Sequence, residues 1–95
     1  MILERAEFPV KESQEDAFAA MMADEGLAIL VGAEGCHGAR LGRGVEQPGT
    51  FILLLEWETV DHHIAMTKTP AFDRFKALAG PYFAGPSNMA HFELL

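Results

Sequence analysis

The chain has 95 residues, 49% of them hydrophobic, and its 14 acidic and 7 basic side chains give a net charge of -7. This length predicts one domain over residues 1–95, and the negative charge disfavours binding to nucleic acid or to an anionic membrane surface. No apolar stretch reaches transmembrane length, and Glu4 and Arg5 interrupt the N-terminus where a signal peptide has its hydrophobic segment, so we expect a cytoplasmic protein. The single cysteine excludes an internal disulfide.

The first third of the chain predicts a strand followed by a helix. The strand covers Ile2 to Phe8. Ser13 stands three residues before Asp16, the spacing at which a serine and an acidic side chain cap a helix start reciprocally. From there apolar residues at helical spacing continue to about Val31, with a kink expected near Gly26. Leu27 to Val31, at the end of that span, could by themselves also form a strand.

The remaining two thirds predict a hairpin, a broken helix and a final strand. A glycine-rich strand from Cys36 to Val45 pairs with a buried strand from Thr50 to Glu58 across a proline-glycine turn. A helix follows from Val60 to about Thr67, is interrupted by a proline, and resumes from Ala71 to Ala79. Asn88 to Leu94 is the last strand. No repeat, linker or phosphate-binding loop interrupts this order.

Four short blocks carry a family resemblance. The first block is the buried run Phe51 to Glu58, which turns acidic at Trp57, together with the helical stretch Thr59 to Phe72 directly after it. The other three are Gly35-Cys36, Gly80-Pro81-Tyr82-Phe83 and Ala90-His91-Phe92-Glu93. Together they resemble the antibiotic biosynthesis monooxygenase family. The resemblance implies an α+β, ferredoxin-like βαββαβ fold with a four-stranded antiparallel sheet, and it favours helix before the glycine-rich strand. It also implies a homodimer, a dimeric α+β barrel in which two sheets pack face to face.

The same resemblance implies a pocket between sheet and helices in each subunit that takes a small, flat aromatic ligand. The reaction it implies is oxidation of a phenol, quinol or anthrone-like ring by a monooxygenase that needs no metal, flavin or other cofactor. Haem degradation is disfavoured, because the first strand has no asparagine and Met66 stands where the haem-degrading branch has a tryptophan. Met66 is also a substrate-binding candidate, and the helical period places it near the side that His63 occupies.

His63 is the candidate catalytic residue. It follows Trp57 by six residues, where the family often has a histidine, and imidazole titrates near neutral pH, as a general base must. The competing interpretation is a partly buried histidine that caps a backbone carbonyl. His62 is turned about 100° around the helix and is expected in solvent. His91, on the last strand, is a second pocket candidate.

Several other side chains are candidates for substrate binding. Trp57 could stack on an aromatic ligand, although a tryptophan at the end of a buried strand is more often core. Phe72 and Phe75 share one side of a helix, and at least one of them is expected to pack on the sheet. Arg40 could bind an oxyanion in the pocket or pair with an acid across the dimer. The two remaining aromatic candidates are Tyr82 and Phe83.

Two alternatives stay open beside the monooxygenase. An isomerase or tautomerase on the same scaffold would use His63 or His91 to shuttle a proton without consuming oxygen. A dimeric small-molecule-binding protein would have no chemistry at all. Metal binding is not predicted, because Cys36 and His37 are adjacent and point to opposite faces of a strand.

Overall fold

The computed structural model describes residues 1–95 and contains four strands and four α-helices. In chain order these are β1 (Ile2–Pro9), α1 (Glu15–Met21), α2 (Leu27–Val31), β2 (Cys36–Arg43), β3 (Thr50–Trp57), α3 (Val60–Met66), α4 (Pro70–Ala79) and β4 (Asn88–Glu93). The strands form one antiparallel sheet in the order β2-β3-β1-β4. The predicted ferredoxin-like α+β fold is confirmed. None of the helices combines the length and the apolar composition that crossing a bilayer requires.

Residues of the two central strands alternate between a buried face and an open face. On β3, Phe51, Leu53, Leu55 and Trp57 are buried, whereas the residues between them are partly exposed. Successive side chains of a strand point to opposite faces, so the buried set faces the helices. Residues of β1, β3 and the helices form one core between the sheet and the helices, and partly buried residues of β2 pack against it. Its largest fully buried side chains are Trp57, Phe18, Phe51, Met22 and Leu55.

The other face of the sheet carries apolar side chains that the chain itself does not bury. Leu3 pairs with Phe92 across β1 and β4, and Leu54 pairs with Arg5 and with Arg40 on the strands beside it. Phe92 is 49% exposed, and Leu3 and Leu54 are half-buried. An uncovered apolar sheet face of this kind is typical of a surface that another molecule covers.

The first helical segment runs to Val31 as predicted, but it begins differently. The expected cap between Ser13 and Asp16 is wrong: α1 starts at Glu15 without a side-chain cap, and Ser13 has a φ of 70°. The Asp16 carboxylate instead accepts a hydrogen bond from Arg43 at 2.8 Å. The predicted irregularity at Gly26 is a π-helical stretch over Met22–Gly26, which joins α1 to α2.

Threonines define the starts of the second pair of helices. Thr59 caps α3 by accepting a hydrogen bond from the backbone N–H of His62, and Thr69 caps α4 in the same way at Phe72. Helix α4 begins at Pro70, one residue earlier than predicted. Proline is favourable at the first helical position because the N–H it lacks would have no partner there. The resulting break separates α3 and α4, as the sequence predicts.

Candidate functional site

A cavity of about 640 Å³ lies between the helix-facing side of the sheet and helices α3 and α4. Ligand pockets for small organic molecules span roughly 300 to 1,000 Å³. Most of the lining is apolar, and the polar side chains come from a small set. These are Glu4 from β1, His63 and Thr67 from the α3 region, Lys76 from α4, and Ser87 and His91 from the last part of the chain.

Glu4 is a buried carboxyl group in the wall of the cavity. Only 6% of Glu4 is exposed. Its Oε1 atom accepts a hydrogen bond of 2.8 Å from the indole Nε1–H of Trp57, and the same atom lies 3.3 Å from Nε2 of His63. An unpaired carboxylate would be costly at this depth, so these two neighbours are what make its burial tolerable.

His63 lies between Trp57, Glu4 and His91. Its ring stacks on the indole of Trp57 with centroids 5.3 Å apart, and its Nδ1 lies 2.7 Å from Nε2 of His91. Helix α3 positions the ring because His63 and Met66 are three residues apart on the buried side of that helix. Both ring nitrogens of His63 therefore contact polar groups, one on β1 and one on β4.

Burial lowers the pKa of His63, which is 7% exposed. The Glu4 carboxylate opposes this shift and His91 adds to it, but removal of the imidazole from water is the largest cause. A lowered pKa keeps the imidazole neutral near pH 7, and a neutral imidazole is able to accept a proton.

The arrangement fits a hydrogen-bonded network better than a metal centre. One ligand atom from each of Glu4, His63 and His91 can be chosen so that all lie within 4.8 Å of one another, and two histidines with one carboxylate are a common ligand set. However, Glu4 and His91 contact opposite nitrogens of the His63 ring. A metal ion would bind only one of those nitrogens, so all three groups could not ligate it without rearrangement.

Six of the nine predicted site residues line the cavity. They come from α3, from α4, from the segment after α4 and from β4, and they are His63, Met66, Phe72, Phe75, Phe83 and His91. Phe72 is half-buried and Phe75 is 6% exposed, so Phe75 contributes more to the core and Phe72 more to the open part of the wall.

The other three predicted residues lie outside the cavity. Trp57 is fully buried behind Glu4 and His63, where it supports them from the core. Tyr82 packs against Phe18, with ring centroids 5.6 Å apart, instead of turning toward the cavity. Arg40 pairs with Leu54 on the open face of the sheet and is exposed, because β2 alternates with the same period as its neighbour. Their roles in substrate binding stay predictions, and for Trp57 the sequence already left a core position open as the alternative.

Glu4 is the site residue that sequence reasoning missed. Its signal was the alternation of Glu4 with Ala6 and Phe8, three residues that share one face of β1 and are all buried. An acidic residue in register with buried apolar ones indicates a buried carboxyl group with a partner. The identity of that partner, Trp57, follows only from the pairing of β1 with β3.

The fold and the cavity define a small α+β protein with an apolar cavity between its sheet and its helices. Residues 1–78 match the family model described as antibiotic biosynthesis monooxygenase. No protein among the curated ones matches the sequence. The chain belongs to the antibiotic biosynthesis monooxygenase family.

Solved structures that carry the same family description share the whole fold. A protein of Bordetella bronchiseptica is 33% identical, with a TM-score of 0.92 over 99% of this chain and 96% of that one. A protein of Caulobacter crescentus is 23% identical, with a TM-score of 0.82 and coverages of 99% and 89%. One of Nitrosomonas europaea is 16% identical, with a TM-score of 0.83 and coverages of 100% and 99%. The latter two support the fold alone.

Proposed function

We propose that the protein is a monooxygenase that oxidises a small phenol, quinol or anthrone-like compound with dioxygen and without a metal or organic cofactor. The observation that carries the proposal is the buried imidazole of His63, neutral near pH 7, in the wall of an otherwise apolar cavity. Apolar walls suit a flat aromatic ring, and Phe72 and Phe83 supply aromatic contacts.

The proposed reaction requires a base, a fixed orientation and exclusion of water. For an anthrone, the histidine pair takes a proton from the acidic ring CH₂ group. The resulting carbanion gives one electron to dioxygen, and the carbon radical and superoxide combine to a peroxide anion, which takes the proton back. The hydroperoxide then loses its remaining C–H proton as the O–O bond breaks, the carbonyl forms, and the lost proton and the departing hydroxide combine to water. The carbon is oxidised, one oxygen atom enters the product and the other leaves as water.

The test is oxygen uptake on a panel of anthrones, hydroquinones and monophenols, by protein dialysed against a chelator. We expect uptake above the uncatalysed rate for at least one compound, and no dependence on added metal or flavin. Uptake restored only by a metal ion would contradict the cofactor-independent mechanism, and uncatalysed rates over the whole panel would contradict the proposed activity.

The second candidate, an isomerase or tautomerase, is favoured by the short contact between the two histidines. A His63–His91 pair at 2.7 Å can pass a proton from one atom of a ligand to another. Under anaerobic conditions, this activity would exchange a ligand proton with deuterium from D₂O. Exchange without oxygen uptake in air would identify it, whereas ligand binding without either reaction would identify a binding protein.

We also propose that the open face of the sheet is covered by a second copy of the chain. The supporting observation is the half-exposed apolar set on that face, which includes Phe92, Leu3 and Leu54. Arg40 and Arg5 lie among these residues and Glu56 lies on the same face of β3. Charges of both signs on one face allow a two-fold related copy to pair them.

A further inference from the structure

We infer that Glu4, His63 and His91 form one proton relay in which Glu4 sets the protonation pattern of both imidazoles, and Nδ1 of His91 is the atom that exchanges a proton with the ligand. The protonation pattern stands on the geometry of the three side chains. Only the identity of the proton donor rests on the proposed function.

Glu4 determines which ring nitrogen of His63 carries the proton. The indole N–H of Trp57 can only donate, so Oε1 of Glu4 is an acceptor in their 2.8 Å hydrogen bond. The same oxygen lies 3.3 Å from Nε2 of His63. A proton on Nε2 faces the negative oxygen favourably, whereas a lone pair on Nε2 would face it unfavourably. In the neutral imidazole the proton is therefore on Nε2, and Nδ1 carries the lone pair.

The proton position on His63 in turn determines the proton position on His91. The bare Nδ1 of His63 lies 2.7 Å from Nε2 of His91, and two ring nitrogens at that distance need one proton between them. Since Nδ1 of His63 is the acceptor, Nε2 of His91 carries the proton. The lone pair of His91 is then on its Nδ1.

The lone pair on Nδ1 of His91 is not enclosed by the protein. Nδ1 of His91 has no hydrogen-bond partner in the protein, and no buried side-chain nitrogen or oxygen lacks one, so this atom lies open rather than enclosed. His91 is half-buried in the cavity wall, whereas His63 is 7% exposed. The free basic nitrogen of the network is thus the one on His91.

The relay can hold a proton taken from a ligand without leaving an isolated charge. When Nδ1 of His91 accepts the proton, the proton on its Nε2 can move to Nδ1 of His63, and the imidazolium then faces the carboxylate of Glu4. The ligand loses one proton and becomes an anion, and the relay gains that proton, so the step is reversed when an intermediate is protonated. A pair of opposite charges in a poorly hydrated site interacts more strongly than in water.

The protonation pattern can be measured without any ligand. Long-range ¹H–¹⁵N correlation spectra of the histidine rings distinguish protonated from bare nitrogens, and the chain has only four histidines. At roughly pH 8, above the usual imidazole pKa of about 6.5, we expect both His63 and His91 to carry their proton on Nε2. A bare Nε2 on His91 in the wild type would overturn the relay.

Glu4→Gln tests whether Glu4 sets the proton positions on the two imidazoles or only supports the fold. The amide removes the negative charge beside Nε2 of His63, while its oxygen can still accept the hydrogen bond from the indole of Trp57. We expect the preference for a proton on Nε2 of His63 to weaken, so that both rings also populate the form with the proton on Nδ1. Glu7→Gln, an exposed change on the same strand, should leave both patterns unchanged. A folded Glu4→Gln protein with the wild-type pattern on His91 would contradict the role of Glu4, and if this variant does not fold, the wild-type spectrum still decides.

Kinetic measurements then test whether His91 is the residue that exchanges a proton with the ligand. On any compound that the protein turns over, His91→Gln should lower kcat by about 100-fold or more with little change in KM, the range typical of a lost general base. A wild-type rate in His91→Gln would exclude His91 as the exchanging group. The expected protonation pattern in a protein that turns over nothing on the panel would instead leave the relay intact and contradict the proposed function alone.

Discussion

At the scale of single residues, the site depends on a contact between the core and the cavity. Trp57 is fully buried, and its indole both donates to Glu4 and stacks on His63. The ring was a candidate ligand contact from sequence, but it acts one layer behind the cavity wall. A change at Trp57 therefore affects stability and site geometry together.

Trp57→Ala should lower the free energy of unfolding by about 3 to 5 kcal/mol, because the change empties a large space in the core. Trp57→Phe keeps most of the volume but removes the indole donor, and should cost about 1.5 to 3 kcal/mol, the range for a hydrogen bond to a charged group. Denaturant unfolding measures both. A loss well below 1 kcal/mol in Trp57→Ala would indicate that the ring is not part of the core.

His63→Ala should reduce turnover by roughly 100- to 10,000-fold, because it removes the buried imidazole from the proposed base. His62→Ala is the matched control. His62 is half-buried outside this cavity and contacts Thr59 through Nδ1 at 2.7 Å. Its removal should change turnover little. Equal rates for wild type and His63→Ala on an accepted substrate would exclude His63 from the mechanism.

The lowered pKa of His63 predicts a pH dependence of stability. The unfolded imidazole binds its proton near pH 6.5, whereas burial keeps the folded one neutral to lower pH. Below about pH 6.5 the unfolded state therefore binds more protons, and stability falls as the pH decreases. Glu4, His91 and Lys76 are the other titratable groups that line the cavity. Of these, Glu4 opposes the shift.

Unfolding free energies of wild type and His63→Gln between about pH 8 and about pH 5 test this dependence. We expect a smaller loss of stability on acidification in His63→Gln than in the wild type, and a wild-type slope in His62→Gln. Identical slopes in all three proteins would show that His63 is not held neutral by burial.

At the scale of elements, the turn before β2 depends on one glycine. Gly35 has a φ of 80°, and a Cβ at this position would overlap the ring of His62. Gly38, three residues later, has no heavy atom within 4 Å of the position that a Cβ would occupy. The two glycines therefore form a matched pair in one glycine-rich segment.

Gly35→Ala should lower the free energy of unfolding by about 2 kcal/mol or more, since strained left-handed backbone costs about 1 to 3 kcal/mol and the overlap adds to it. Gly38→Ala should change it by less than about 0.5 kcal/mol, as ordinary surface substitutions do. Thermal or chemical unfolding of the pair measures the difference. Similar stabilities would contradict the backbone conformation at Gly35.

Element types and most ends were predictable because apolar periodicity and prolines specify them locally. The strand of Thr50–Trp57 and the break before Pro70 are examples. The start of the first helix was not predictable from the sequence, since the partner of Asp16 is Arg43, 27 residues away. In the site, His63 could be predicted from its spacing, but Glu4 gains its role from strand pairing. Arg40 lies on the open face of the sheet and not in the cavity because of the register of β2, which the sequence alone left open.

At the scale of the whole molecule, the open sheet face makes a homodimer the expected assembly. Such an interface should bury about 1,600 Å² or more in total. Light scattering at micromolar concentration should give twice the chain mass of 10.4 kDa. Leu54→Glu, which places a charge at the centre of that face, should shift the protein toward monomer, whereas the exposed change Val45→Glu should not. A wild-type monomer would contradict the proposed assembly.

The proposed monooxygenase activity requires that oxygen from dioxygen enters a ring held in this cavity. The most direct measurement is the mass of the product formed under ¹⁸O₂ from the best substrate of the panel, together with the oxygen consumed. We expect one ¹⁸O atom in each product molecule, one O₂ used per product, and both signals reduced at least about 100-fold in His63→Ala but not in His62→Ala. A product without ¹⁸O formed at the wild-type rate would contradict the monooxygenase assignment.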